Sequence, residues 1–132
     1  MIVDTSAVVA ILFRESDAVR YEEALADAAH CRMSVVSFVE AAMVIESRDG
    51  PARGESLDVL IEASSIELAP VTVEHAYAAR QAWRRFGKGN HPAGLNFGDC
   101  FAYALAETSG ESLLFKGEDF ALTDIEDALA QR

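Results

Sequence analysis

With 132 residues, 51% of them hydrophobic, the chain can bury a sizeable core and is read as one domain spanning 1–132. Its 22 acidic residues against 11 basic ones give a formal charge of -11, which excludes a nucleic-acid binder relying on a broad cationic surface and favours a basic partner. No stretch approaches the roughly 18 apolar residues of a membrane span, the start has no basic secretory n-region, and two cysteines outside any CxxC pair suit a reducing compartment; the expected location is the cytoplasm, with no membrane role.

The opening run "MIVDTSAVVAIL" reads as a very short strand, Ile2 and Val3, followed by a helix from Ser6 to Phe13. Asp4, Thr5 and Ser6 all suit a helix N-cap, so at this point Asp4 is either a cap or a carboxylate placed for chemistry. "SDAVRYEEALADAA" has Val19, Ala24 or Leu25, and Ala28 at helical spacing, an amphipathic helix. "CRMSV" is a short strand, and "VSFVEAAMVIESR" a helix that stops at the breaker run "DGPARG". Apolar residues fill nearly every position of that helix, so it is expected to be buried on most sides, and Glu40 within it must take a proton, find a cation or lean outward.

"ESLDVLIEAS" is the next helix and "IELAPV" a strand ended at Pro70. "TVEHAYAARQAWRRF", capped by Thr72, leads through the turn-rich loop "GKGNHPAGLN" into the helix "FGDCFAYALAETS", with Asn96 as its N-cap and Gly110 closing it. Asp99 lies in the first turn of that helix, where the dipole favours a negative charge, although its neighbours Phe97, Cys100, Phe101 and Ala102 are apolar. "SLLF" is a last strand, followed by Glu118 and Asp119 within the final segment "GEDFALTDIEDALAQR".

Strands alternating with helices imply right-handed crossovers and a mainly parallel sheet covered on both faces, an α/β three-layer sandwich. Sites in such sheets form beyond the carboxyl ends of the strands. Asp4 and the Glu118–Asp119 pair should therefore open onto one edge. His30, His75 and His91 are scattered, which gives a zinc site no support. Crowded carboxylates without His or Cys instead select Mg²⁺ or Mn²⁺, which orient phosphate oxygens and water. No acid occurs between Glu74 and Asp99, whereas Arg80, Arg84, Arg85 and Lys88 fall in that window: either a solvated helix face or a local landing strip for phosphates.

Together, "MIVDTSAVVAIL", Glu40 in "SFVEAAMVIE", "GLNFGDCFAYALA" around Asp99 and "LLFKGEDF" resemble the VapC toxins, a family of PIN-domain ribonucleases, over almost the whole chain. The resemblance implies a Mg²⁺- or Mn²⁺-dependent endoribonuclease with Asp4, Glu40, Asp99 and Asp119 as its acidic residues, Asp4 and Asp99 the principal metal ligands and Glu40 a direct or water-mediated one. At the fourth position many relatives carry an acid or Asn where this chain has Gly117, so either Asp119 or Glu118 supplies that charge or three acids suffice. It further implies that Thr5 or Ser6 hydrogen-bonds the site or the scissile phosphate. The expected partners are RNA, a second copy forming a homodimer, and an inhibitory VapB-type antitoxin forming a hetero-oligomer. Two other classes remain: a catalytically silent PIN-like binding partner, and a receiver-type phosphotransfer module, which lacks its usual adjacent acids here.

Overall fold

The computed structural model describes residues 1–130. Four strands, β1 (Ile2–Val3), β2 (Cys31–Ser34), β3 (Ile66–Ala69) and β4 (Leu113–Leu114), form a sheet in the order β3-β2-β1-β4. Every neighbouring pair is parallel, with Ile2 opposite Arg32 on one side and Leu113 on the other. The strands are connected through helices α1 (Thr5–Leu12), α2 (Ala18–Asp27), α3 (Val35–Asp49), α4 (Pro51–Ala63), α5 (Val73–Phe86) and α6 (Phe97–Ser109).

The two faces of the sheet build separate cores, because side chains alternate along each strand. Ile2 and Leu113 point into a cluster with Ala79, Ala82 and Phe86 of α5 and Tyr103 and Leu105 of α6. Val3 and Leu114 point the other way, into Val8 and Ile11 of α1, Tyr21 and Leu25 of α2, Ile45 of α3 and Leu57 of α4. This is the expected three-layer sandwich, and all four residues of the two-residue strands β1 and β4 are buried.

Three local details change or complete the expected layout. The run "DGPARG" interrupts the helices by a single residue: Gly50, at φ +87°, makes the corner, and α4 starts at Pro51 rather than at Glu55. Proline is pre-organised for the first helical position, so it opens the helix instead of breaking it. The final segment forms a short 3₁₀ turn at Phe120–Leu122 and returns alongside β4 through a Leu113–Asp127 bridge; its last two residues, 131 and 132, lie outside the described residues.

The third change matters for function. Helix α3 is not buried on most sides: only the i, i+4 stripe Ser37, Ala41 and Ile45 is fully packed, while Val39, Met43 (66% exposed) and Val44 face outward beside Glu40. An apolar composition therefore does not report burial here. It leaves an apolar surface next to a carboxylate.

Candidate active site

Asp4 follows β1 directly, and its backbone N–H continues the ladder by donating to the Leu114 carbonyl at 2.9 Å. The strand pairing thus sets the carboxylate at the carboxyl edge of the sheet, where α1 begins. Asp4 is also the N-cap of α1, so the capping interpretation holds as well: its Oδ2 accepts from the Ser6 N–H at 3.0 Å and the Ser6 hydroxyl at 2.6 Å. The other oxygen, Oδ1, is buried without a hydrogen-bond partner, in a residue only 3% exposed. Burial raises the Asp4 pKa, and the Glu40 charge adds to this, against the Ser6 hydrogen bonds that lower it.

Asp99 is the third residue of α6 and shares a reciprocal capping box with Asn96: the Asp99 N–H donates to Asn96 Oδ1 at 2.8 Å, and the Asn96 N–H donates to Asp99 Oδ2 at 3.0 Å. Such a cap at a helix N-terminus normally lowers a carboxylate pKa. Here it is pushed up to about 7, first by burial and then by the charges of Asp4, Glu40 and Asp119, which outweigh the Asn96 hydrogen bond. Four acids from four separate parts of the sequence therefore share one electrostatic neighbourhood.

Glu40 reaches this neighbourhood because Gly98 lets it. A Cβ at Gly98 would collide with the Glu40 carboxylate, so the absence of a side chain in the first turn of α6 seats the α3 glutamate against the Asp99 helix. Asp119 stands at the exposed start of the 3₁₀ turn, after Gly117 at φ +102° redirects the chain beyond β4. Ser6 ties this loop to the first strand, since its oxygen accepts the Lys116 N–H at 2.9 Å while its proton goes to Asp4. Lys116 in turn anchors on Glu15 and Asp17, at 2.5 and 3.1 Å.

The opposite, amino-terminal edge of the sheet is a useful contrast. Burial opposes ionisation of Glu111, yet hydrogen bonds from Arg32 and the chain's amino group, both at 2.6 Å, hold its pKa down to about 2. Acids at that edge are matched by cations from the protein itself. At the carboxyl edge the charges repel, and what the donor set lacks is a cation. Asp4, Asp99 and Glu40 supply only hard oxygen donors, the preference of Mg²⁺ or Mn²⁺. Among the described residues no three His, Cys, Asp or Glu side chains are drawn close enough together to form a ready-made metal cage.

Other expected residues are distributed unevenly. Thr5 is buried, and its hydroxyl donates to the Ser37 carbonyl at 2.9 Å, fastening α1 to α3 rather than facing the groove. The basic strip is divided. Arg85 pairs with Asp124 at 3.0 Å and approaches the Tyr103 hydroxyl, which itself donates to Asp124 at 2.5 Å. Arg80 and Lys88 instead line a groove between α5 and α6 with Trp83, Phe97 and Phe101, and Arg84 is exposed beside them on α5. Helical spacing explains the division, since Arg84 follows Arg80 by about one turn and Arg85 lies roughly 140° around from it. The roles of Asn96 as partner to Asp99, Gly98 as seat for Glu40 and Lys116 as anchor of the loop emerge only from these contacts; of the three, the sequence signalled Asn96 alone, as a cap.

The chain is similar to known proteins over most of its length. The PIN domain family model matches residues 1–126. A ribonuclease VapC of Mycolicibacterium smegmatis is 54% identical, covering 95% of this chain and 97% of that protein, and ribonuclease VapC28 of Mycobacterium tuberculosis is 49% identical over the full length of both. The crystal structure of Mycobacterium tuberculosis VapC20, a sarcin-ricin loop cleaving toxin, superposes with a TM-score of 0.77 at 16% identity, covering 94% of this chain and 95% of that one. The chain belongs to the VapC family of PIN-domain proteins.

Proposed function

We propose that the protein is the toxin of a type II toxin–antitoxin pair, a Mg²⁺- or Mn²⁺-dependent endoribonuclease that hydrolyses RNA phosphodiester bonds. The observation that carries this reading is the buried, unpartnered Oδ1 of Asp4 among acids that raise Asp99 to about 7. Asp4, Asp99 and Glu40 would hold the metal, with Asp119 completing the acidic rim. When bound, the ion activates water and stabilises charge on the phosphate and the leaving oxygen. The chain's own part is positional. Ser6 orients Asp4 so that one oxygen remains free of hydrogen bonds, the Asn96 capping box fixes Asp99, and Gly98 seats Glu40 against the first turn of α6, where it would help position the attacking water.

The names of the relatives support the ribonuclease activity, and the acidic charge suits inhibition by a basic VapB-type antitoxin. The exposed Val39, Met43 and Val44 provide an apolar surface for the homodimer, which would join antitoxin as a hetero-oligomer in the cytoplasm. Membership of the family removes the receiver-type alternative; a catalytically silent relative is separated from an active one by experiment. Purified protein freed of antitoxin should cleave RNA with Mg²⁺ or Mn²⁺ and not with EDTA, and Asp4→Asn should abolish cleavage while leaving the fold intact. Failure to cut any RNA under conditions in which expression arrests growth would refute the nuclease reading.

A further inference from the structure

The groove between α5 and α6 has a volume of about 620 Å³, within the roughly 300–1,000 Å³ typical of ligand sites. Its wall is largely apolar, with three aromatic rings. Trp83 is 49% exposed and Phe97 75% exposed, and Phe97 is paired with Phe101 at a centroid separation of 4.9 Å. Large aromatic side chains left open to water in this way need a reason. The indole lies so close over Gly87 that a Cβ there would strike it, and the Trp83 main-chain carbonyl accepts both the Gly87 N–H at 2.8 Å and the Asn90 side-chain amide at 3.1 Å.

Charge identifies the occupant. The charged residues lining the groove are Arg80 and Lys88, and neither forms an ion pair among the described residues. In a protein of net charge -11, these unpaired cations flank the groove and favour an anion, whereas a basic peptide would meet like charge there. Asn96 belongs both to the groove wall and to the Asp99 capping box, so whatever lies in the groove ends beside the acids.

We propose that this groove is a base-stacking subsite for single-stranded RNA, in which an unpaired base beside the scissile bond stacks on Trp83 or Phe97 while its flanking phosphates meet Arg80 and Lys88. Aromatic platforms with interleaved cations bind single strands this way, because every base has a π-face and every linkage a charge. The proposal rests on the nuclease reading for what is bound, and it moves the substrate contact from Arg85, held by Asp124, to the Arg80–Lys88 side of α5.

Trp83 is the only tryptophan, so its fluorescence reports this groove alone. Ten-nucleotide single-stranded oligoribonucleotides of A, U or C are titrated into the Asp4→Asn protein with Mg²⁺, which keeps the RNA intact. The expected result is saturable quenching and, with affinities read from the anisotropy of fluorescein-labelled RNA because the Trp83 variants lack the indole, a loss of about 5- to 150-fold for Trp83→Ala in that background, recovery of most of it with Trp83→Phe, and a salt slope shallower by about two for Arg80→Glu with Lys88→Glu. If the RNA binds with no change in emission and Trp83→Ala binds as tightly as its parent, stacking in this groove is refuted. If Trp83→Ala leaves RNA affinity unchanged but alters the sedimentation coefficient or the binding of a basic antitoxin peptide, the groove belongs to that other occupant and the proposal is equally refuted. Cleavage by the wild-type protein is scored separately. RNA cut without Trp83 involvement sinks only the subsite, whereas no cleavage with normal quenching sinks the nuclease reading and leaves an RNA-binding groove.

Discussion

Asp99→Asn should make the metal-free protein more stable at alkaline pH, although it removes a residue of the proposed active site. The Asp99 carboxyl has its pKa raised from 3.8 to about 7, chiefly by burial and then by Asp4, Glu40 and Asp119. Between those values the folded protein holds a proton that the unfolded chain has released, so stability falls as pH rises from about 4 to 7 and levels off above. At about 1.4 kcal/mol per pK unit the whole displacement corresponds to roughly 4 kcal/mol, which partial exposure to water reduces to the order of 1–2 kcal/mol. Asparagine removes the charge and retains an oxygen able to accept the Asn96 N–H. In EDTA at pH 8 the variant should melt several degrees above the wild type, by about 3–8 °C for a domain of this size. At pH 5, where the folded protein keeps the Asp99 proton but the unfolded chain has largely released it, the difference should shrink to less than half its value at pH 8. Adding Mn²⁺ or Mg²⁺ should reverse the order at pH 8, because a ligand bound only by the folded state stabilises it. Calorimetry across pH 5 to 8, with and without metal, measures all of this. An Asp99→Asn protein that retains the wild-type pH slope, or gains as much from metal as the wild type does, would refute the account of a charge-crowded cation site.

Further expectations follow from single contacts. Ser6→Ala leaves the Lys116 N–H without its acceptor and Asp4 without its hydroxyl donor; it should cost about 1–3 kcal/mol by denaturant titration and weaken metal binding, read by isothermal titration calorimetry. Gly98→Ala places a Cβ against the Glu40 carboxylate and should cut cleavage strongly while the melting temperature changes little, since alanine favours a helix and only the glutamate must move. Thr5→Val removes a buried bond to the Ser37 carbonyl; about 1 kcal/mol of stability should go while cleavage persists, and a loss of kcat without a loss of stability would show that Thr5 contacts substrate.

Much of this could be read from residue order, and the failures are instructive. Alternating strand and helix patterns sufficed for a parallel three-layer fold, because a parallel connection demands a crossover and a buried strand demands cover on both faces. The odd positions of Asp4 and Asp99 were visible because each interrupts an apolar run. Burial of α3 is not legible in the same way: apolar composition states which surfaces would gain from cover, and Val39, Met43 and Val44 lack it within this chain. The basic strip was contiguous in sequence, but helix geometry sends Arg85 to Asp124 and leaves Arg80 and Lys88 at the groove.

By itself, then, the sequence determined the layers, the capping residues and the kinds of donor atom available, since these depend on local spacing and side-chain chemistry. Only the tertiary structure decided that Asp4, Glu40, Asp99 and Asp119 feel one another's charge, that Gly98 makes room for Glu40, and that Thr5 turns inward while Ser6 serves Asp4. Those are distances between residues remote along the chain, set by how β1 and β4 pair and how α3 packs on α6, and electrostatic coupling depends on that separation rather than on order.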